Sequence, residues 1–465
     1  MSSLQPRMTL DDVRAILISF AGHFERERLL GPRQIVVTLL FMIKDRCGYK
    51  RALDTVSALM GAEFGWKTLP PKAGSFSKAR HKLTPAEMLE MYRLALASPS
   101  AVAARNRWRW RGFRLMAADG SRFLLPAHQP LIDEYLRPLV TGGEAYQPQL
   151  LQMTLWDVGA CQPVAWCQRA CRGKGNGERA LLMTMLDSLS STDLLLLDRG
   201  FPSRRLLFEL MGRKLPFIAR MIAGTSSDFR EVAEFLASGR DSEAINFTYR
   251  DTVNAITRVE RLRLVRDCDE NGNSCVLVTN LMDEQQFTAK DLVNVYYRRW
   301  GIEVAFKDMK MRYKIEGFHG TTPQLIEQEI IALMFLLLIE SMIEEAAITT
   351  LPTNQRDRDK NDTDIDTDTD TDTDTDTDNI DNIDNIDEHR PKRCNRAALG
   401  DRVRTLLNLA IRTTHSRHLW QEYRRGLNAT AQDRARIRRP NRGRQRKCLS
   451  QYGRWRFKKT SKKAA

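Results

Sequence analysis

The segment DLLLLDRGFPS, residues 193–203, decides the fold. Its short run of leucines, closed by a Gly-Phe-Pro turn, predicts a buried β-strand that ends at Asp198. A helical sequence, SRRLLFELMGR, follows at once, and LPFIARM (215–221) predicts a further strand. Hydrophobic strands that alternate with helices are typical of an α/β core.

The neighbouring sequence extends this core in both directions. FRLMAADG (113–120) predicts a strand that ends in Asp119 and a Gly turn, and two further strand-like runs occupy 148–157 and 161–170. We therefore expect one part of the core over residues 106–223 and its last part over 288–350. Residues 224–287 interrupt the alternation with three strand-like runs and predict a β-rich insertion.

The N-terminal part, residues 1–105, has the apolar spacing of helices and predicts a helical DNA-binding region. SFSKARHKL (75–83) would present Lys78, Arg80, His81 and Lys82, with a helix start near Ser75 and another near Thr84. An ordinary solvated helical face remains the alternative for these basic residues.

Charge is distributed unevenly along the 465 residues, whose formal net charge is +15. Residues 361–388 hold thirteen acids and no Lys or Arg, whereas residues 389–465 hold 24 Lys and Arg against three acids. The Asp-Thr repeat cannot bury enough apolar surface to fold alone, so 351–390 is predicted to be an acidic low-complexity linker. The basic helical region at 391–465 indicates a polyanionic partner.

Other classes of protein are disfavoured by the same composition. The eight cysteines form no CxxC pair and no zinc-site spacing, as expected of reduced thiols in a cytoplasmic protein. The N-terminus lacks the order of a signal peptide, and the apolar run 330–339 is about half the length that a membrane span needs.

Three carboxylates fall where a metal site could form. Asp119 and Asp198 each end a predicted strand, and such ends open onto the ligand crevice of a sheet core. Glu303 lies in YYRRWGIEVAFKDMK (296–310). On one continuous helix, Tyr296, Arg299, Glu303 and Lys310 would point within roughly 60° of one another. A metal site and a solvated charged face both remain open on this geometry.

The three motifs in order, DGS at 119–121, DRGF at 198–201 and Tyr-x2-Arg-x3-Glu-x6-Lys at 296–310, resemble DDE transposases of bacterial insertion sequences. The spacing of the last motif is similar to that of insertion-sequence family 4. The resemblance covers roughly residues 30–345. It implies an RNase H-like catalytic core and a cut-and-paste transposase that binds the ends of its own element.

The resemblance also assigns roles to residues. Asp119, Asp198 and Glu303 would bind two Mg²⁺ ions, with Mn²⁺ as a substitute, and Tyr296, Arg299 and Lys310 would contact DNA phosphates. The expected partners are the terminal inverted repeats and target DNA, with a homodimer in the synaptic complex and a cytoplasmic, nucleoid-associated location. Two alternatives stay open: a non-catalytic repressor that binds DNA ends, and a metal-dependent DNA nuclease.

Overall fold

The computed structural model describes residues 4–19, 29–66, 69–222, 229–251, 256–268, 274–350, 394–412 and 417–432. In the described part of the chain, six helices precede the first strand: α1 (Leu4–Ser19), α2 (Pro32–Lys44), α3 (Tyr49–Met60), α4 (Ala73–Arg80), α5 (Pro85–Leu96) and α6 (Pro99–Arg107). The helix start predicted near Thr84 is confirmed, because Thr84 and Glu87 form a capping box at the first turn of α5.

The remaining helices lie between and after the strands. They are α7 (Gln129–Tyr135), α8 (Glu178–Met185), α9 (Arg204–Gly212), α10 (Arg230–Ala237), α11 (Ala289–Tyr297), α12 (Trp300–Lys307), α13 (Pro323–Thr350), α14 (Arg396–Ile411) and α15 (Arg417–Gln432). A 3-10 turn covers Leu186–Ser188, and a π-helix covers Asp308–Arg312 directly after α12.

The strands are β1 (Arg114–Leu124), β2 (Leu139–Val140), β3 (Gly143–Glu144), β4 (Gln149–Asp157), β5 (Gln162–Ala170), β6 (Asp193–Leu197), β7 (Phe217–Met221), β8 (Ser242–Asp251), β9 (Ile256–Cys268) and β10 (Ser274–Thr279). Eight of them form one sheet in the order β5-β4-β1-β6-β7-β10-β9-β8, while β2 and β3 form a separate hairpin. β1, β6 and β7 are parallel neighbours, and the other pairings in the large sheet are antiparallel. The predicted mixed α/β architecture is confirmed.

The strands of the predicted β-rich insertion continue the central sheet. β10 pairs with β7, and β9 and β8 follow outward from it. On one face of the sheet, Leu264 of β9 and Val276 of β10 belong to the same hydrophobic cluster as side chains of β6 and β7. The strands β8, β9 and β10 therefore extend the sheet of the core through backbone hydrogen bonds.

Helices cover both faces of the sheet. α8, α9 and α10 pack on one face through Leu182, Leu207 and Val232. α11 and α12 cover the other face, together with α13 and the N-terminal helices. Side chains of successive strand residues alternate between these two layers.

The long helix α13 is buried over nearly its whole length. Three of its acids form ion pairs: Glu329 with Arg80, Glu340 with Arg312 and Glu345 with Arg107. Glu344 accepts a hydrogen bond from the backbone N–H of Cys394, at 3.0 Å, where the described chain resumes after 350. These pairs attach the N-terminal helices and the start of α14 to one central helix.

Some predictions lie outside the described residues. They include the whole acidic linker, 351–390, and the end of the basic region after 432. Within the described ranges, no helix is long and apolar enough to cross a membrane.

Candidate active site

Asp119 and Asp198 lie side by side on neighbouring parallel strands. β1 and β6 pair in parallel up to Ala118 and Leu197, and Asp119 and Asp198 follow directly after these two residues. Residues in register on parallel strands point to the same face, which here is the face covered by α11 and α12. The fold thus brings two of the three predicted acids together.

The expectation that β1 ends at Asp119 is wrong. β1 continues to Leu124 because β4 stays paired with it, with Asp119 opposite Thr154. Only the parallel partner, β6, stops at this level. Asp119 therefore lies in mid-strand, at the point where one edge of β1 loses its neighbour.

The continuous helix predicted over 296–310 is also wrong. α11 ends at Tyr297, and the N–H groups of Arg298 and Arg299 bond three residues back, so the chain makes a tight turn before α12. A π-helix then places Lys310 on a wider turn. Tyr296, Arg299, Glu303 and Lys310 consequently do not share one regular helical face.

Arg299 and Glu303 form an ion pair within α12, with 2.7 Å between Nη2 and Oε1. Arg299 is only 8% exposed, and its guanidinium carbon lies 6.0 Å from the centre of the Tyr296 ring. Burial lowers the pKa of Arg299, but Tyr296, Asp198 and the hydrogen-bonded Glu303 together raise it above its ordinary value, so the guanidinium stays charged. Two predicted phosphate contacts, Tyr296 and Arg299, are thus largely buried beside the acids.

The electrostatics of the site centre on Asp119. Burial raises its pKa to about 7, although the Gly120 N–H, which donates a 2.9 Å hydrogen bond to Oδ1, opposes the shift. Glu178 and Glu303 raise the pKa further, with Glu178 the stronger of the two, and Arg299 lowers it. Several carboxylates therefore share one partly buried region, with the Arg299 guanidinium beside Asp119.

Lys310 contacts the far end of β1. Its Nζ donates a 2.8 Å hydrogen bond to the carbonyl of Arg122 and lies 5.3 Å from the centre of the Phe123 ring. Burial lowers the pKa of Lys310. The side chain therefore braces the strand that carries Asp119, three residues before Arg122.

Glu178 is the acid that the sequence prediction missed. It is the first residue of α8, and its carboxylate packs against Gly120 from the layer opposite Glu303. An acid in the first turn of a helix is common for reasons of helix stability alone, so the sequence offered no distinctive signal. Across the described ranges, no three His, Cys, Asp or Glu side chains are arranged to hold a metal ion.

The basic residues of the N-terminal region divide into two groups. Lys78, His81 and Lys82 are exposed, but Arg80 is fully buried. Arg80 bonds Glu329 at 3.1 Å and the Gln328 side chain at 3.0 Å, so its charge is used inside the protein. The expectation that Arg80 is presented to DNA is wrong for this reason.

Comparison with known proteins shows which proteins the chain resembles. Residues 149–339 match the transposase DDE domain family. The transposase InsG of insertion sequence element IS4 from Escherichia coli (strain K12) is 24% identical over 228 residues, covering 48% of this chain and 50% of that protein. A probable transposase for insertion sequence element IS5377 from Geobacillus stearothermophilus is 24% identical over 143 residues, covering 31% of this chain and 37% of that protein.

The chain thus spans half or less of the length of these relatives. Among solved structures, a piggyBac transposase synaptic complex with hairpin DNA aligns over 91% of this chain and 85% of that one, with 11% identity and a TM-score of 0.38. A similarity of that size does not establish a shared fold. The family match and the two relatives confirm the resemblance to DDE-class transposases of insertion sequences.

Proposed function

We propose that this chain, which carries a transposase DDE domain, catalyses cut-and-paste transposition by cleaving DNA at the ends of its insertion sequence and joining it to target DNA. The observation that carries the proposal is the register of β1 and β6, which sets Asp119 and Asp198 side by side. Glu303 approaches the same face from α12, whose Ile302 and Ala305 are buried in the core.

We further propose that β5-β4-β1-β6-β7 constitute an RNase H-like core, with β8, β9 and β10 as its insertion. Three antiparallel strands followed by two parallel ones form the part of the sheet that carries both aspartates. Ligand crevices of open sheets lie beyond the carboxyl ends of parallel strands, which is where β6 delivers Asp198.

The donor set fits a hard divalent cation such as Mg²⁺, because every candidate ligand is a carboxylate and one of them, Asp119, is partly buried among other acids. Asp119, Asp198 and Glu303 would hold a pair of Mg²⁺ ions, which when bound would activate an attacking hydroxyl and stabilise a leaving oxygen. Mn²⁺ would substitute, since it also accepts oxygen ligands.

The chain's own cations then account for DNA binding. The Arg299 guanidinium, which is paired with Glu303 in the free protein, would pair with a DNA phosphate instead. Its two parallel N–H groups can bond two oxygens of one phosphate. Lys310 would supply a point charge once it leaves the Arg122 carbonyl, and Tyr296 would set the position of Arg299. The partner is double-stranded DNA, at the element's terminal repeats and at the target.

Pairing two element ends requires two active sites, so we propose a homodimer in the synaptic complex, located with the nucleoid in the cytoplasm. The exposed Lys78, His81 and Lys82 of the N-terminal region would add contacts to the DNA backbone.

The test is a reaction of purified protein with DNA that carries the element's ends, a target plasmid and Mg²⁺. We expect cleavage at the ends followed by joining of the freed 3′-OH to the target. Cleavage without joining would favour a nuclease, and binding without cleavage would favour a repressor of transposition. A chelator added before Mg²⁺ is the control, and it should abolish cleavage while leaving end binding intact.

A further inference from the structure

The π-helix after α12 carries Lys310, and residues of two other helices hold its two ends. At its first residue, Nη1 of Arg396 donates a hydrogen bond to Oδ2 of Asp308 and forms an ion pair with it. At its last residue, Arg312 donates two hydrogen bonds, of 2.7 and 2.6 Å, to the carboxylate of Glu340 in α13. The turn that contains Lys310 is therefore fixed at both ends by charged partners from elsewhere in the chain.

The backbone of this turn is of an uncommon kind. The N–H of Tyr313 donates a 3.0 Å hydrogen bond to the carbonyl of Asp308, five residues back, so the turn is wider than that of an α-helix. Single π-turns of this sort are rare and are frequently found at functional sites. We expect such a turn to depend on the side-chain contacts that hold its ends.

The helix α14 supplies one of these contacts from within the predicted basic region, 391–465. The carbonyl of its first residue, Arg396, also accepts a 3.1 Å hydrogen bond from Arg312. One turn further along α14, a Cβ at Gly400 would lie 3.3 Å from Oε1 of Glu340 and 3.5 Å from Nη1 of Arg312. The missing side chain of Gly400 lets α14 pack closely on that ion pair. The charge of Arg396 is thus used inside the protein.

Lys310 contacts a different layer of the molecule from the two ends of its turn. Its Nζ bonds the carbonyl of Arg122 in β1, the strand that carries Asp119. Asp308 and Arg312 instead contact α14 and α13. A change at either end of the turn would therefore move Lys310 relative to β1.

We propose that Arg396 is a positioning residue of the active site, which holds Asp308 and thereby keeps the π-helix in the geometry that lets Lys310 reach a DNA phosphate. The inference rests on the proposed function, in which Lys310 contacts a phosphate. It gives the start of the C-terminal region a role in the site without contact between Arg396 and DNA.

The inference is tested by the salt dependence of DNA binding. Full-length variants are titrated with a labelled duplex of the element's end at several KCl concentrations. Each phosphate contact contributes about 0.9 to the slope of log affinity against log salt, so Lys310→Met should reduce the magnitude of the slope by about one. We expect Arg396→Met to reduce it equally, and the double variant to reduce it no further.

The matched control for Arg396→Met is Arg107→Met. Arg107 is paired with Glu345 of α13, and its side chain is as exposed as that of Arg396. The control therefore removes one cation and one ion pair away from the π-helix. It should keep the wild-type slope.

A second variant separates positioning from simple charge. Asp308→Ala removes an acid and frees Arg396, so general electrostatics alone would strengthen DNA binding. The positioning role predicts the opposite, because the π-helix loses its contact with α14: weaker binding, with a slope reduced by about one. Asp45→Ala, which likewise frees Arg404 of α14 from a 3.0 Å ion pair, is the control and should bind no more weakly than the wild type. Circular dichroism and the melting temperature establish that each variant is folded.

The failure of this inference differs from the failure of the proposed function. If Lys310→Met reduces the slope but Arg396→Met keeps it, the role of Arg396 is refuted and the phosphate contact of Lys310 stands. If the double variant shows the sum of the two single reductions, Arg396 contacts DNA itself and the inference is refuted. Tighter binding by Asp308→Ala would refute it as well. If Lys310→Met keeps the wild-type slope, the proposed phosphate contact is refuted, and the role of Arg396 with it.

Discussion

Replacing Asp119 with Asn should stabilise the metal-free protein at pH 8. The pKa of Asp119 is raised from 3.8 to about 7, with burial as the main cause. Between pH 4 and pH 7 the folded protein holds a proton that the unfolded chain has released, so stability falls as the pH rises through this window. Above pH 7 the folded protein carries a buried charge that Asn lacks.

The shift fixes the size of the effect. Three pKa units correspond to about 4 kcal/mol, and partial solvent contact of the side chain reduces this to about 2–4 kcal/mol. We expect the gain in unfolding free energy of Asp119→Asn over the wild type to be near zero at pH 4 and to reach that range by pH 8.

The assay is urea unfolding, followed by tryptophan fluorescence, at pH values from 4 to 8 in the presence of a chelator. Asp54→Asn, at an exposed position of α3, serves as the control and should show no such trend. Adding Mg²⁺ should stabilise the wild type but not Asp119→Asn, because ligand binding favours the folded state. An Asp119→Asn protein no more stable than the wild type at pH 8 would refute the reasoning.

Three further predictions concern other parts of the molecule. Arg299→Gln should bind Mn²⁺ more tightly than the wild type in the absence of DNA, because Glu303 loses its ion pair; unchanged or weaker binding by calorimetry would contradict this. Arg80→Met should lower the unfolding free energy by about 3–5 kcal/mol, since Glu329 would be left buried without its cation; urea unfolding measures this. Deleting 362–387 should leave the melting temperature unchanged if the tract is a passive linker, and a rise in DNA affinity would instead indicate that its acids compete with DNA.

The parts of the fold that follow from local patterning were predictable from the sequence. The leucine run before Asp198 predicts a buried strand, which β6 confirms, and the capping residues at Thr84 and Glu87 mark a helix start. The apolar run of α13 likewise predicts its burial. The order of the three acids along the chain led to the resemblance to DDE-class transposases, which the family match and the two relatives confirm.

The parts that depend on distant partners were not predictable in this way. β1 continues past Asp119 because β4 pairs with it, with Thr154, far along the chain, opposite Asp119. Arg80 is buried and Lys78 exposed on the same short helix, because Gln328 and Glu329 lie against only one side of it. No local pattern distinguishes these two basic residues.

The site shows the same division. Asp119 and Asp198 come together through the register of β1 and β6; the sequence predicted the end of β6 at Asp198 correctly, but it placed the end of β1 too early. The sequence spacing of Tyr296, Arg299, Glu303 and Lys310 fits one continuous helix. The turn between α11 and α12 and the π-helix after α12 interrupt that helix. Glu178 approaches from a helix in the other layer, so its proximity to Gly120 exists only in the folded protein.

The central claim is that Glu303 completes a catalytic centre with Asp119 and Asp198. Its most direct test is the rate of Mg²⁺-dependent cleavage at the element's end by Glu303→Gln, with end binding measured on the same DNA. We predict that cleavage falls by at least about 100-fold while the affinity for the DNA end is retained. Cleavage at the wild-type rate by Glu303→Gln would contradict the claim.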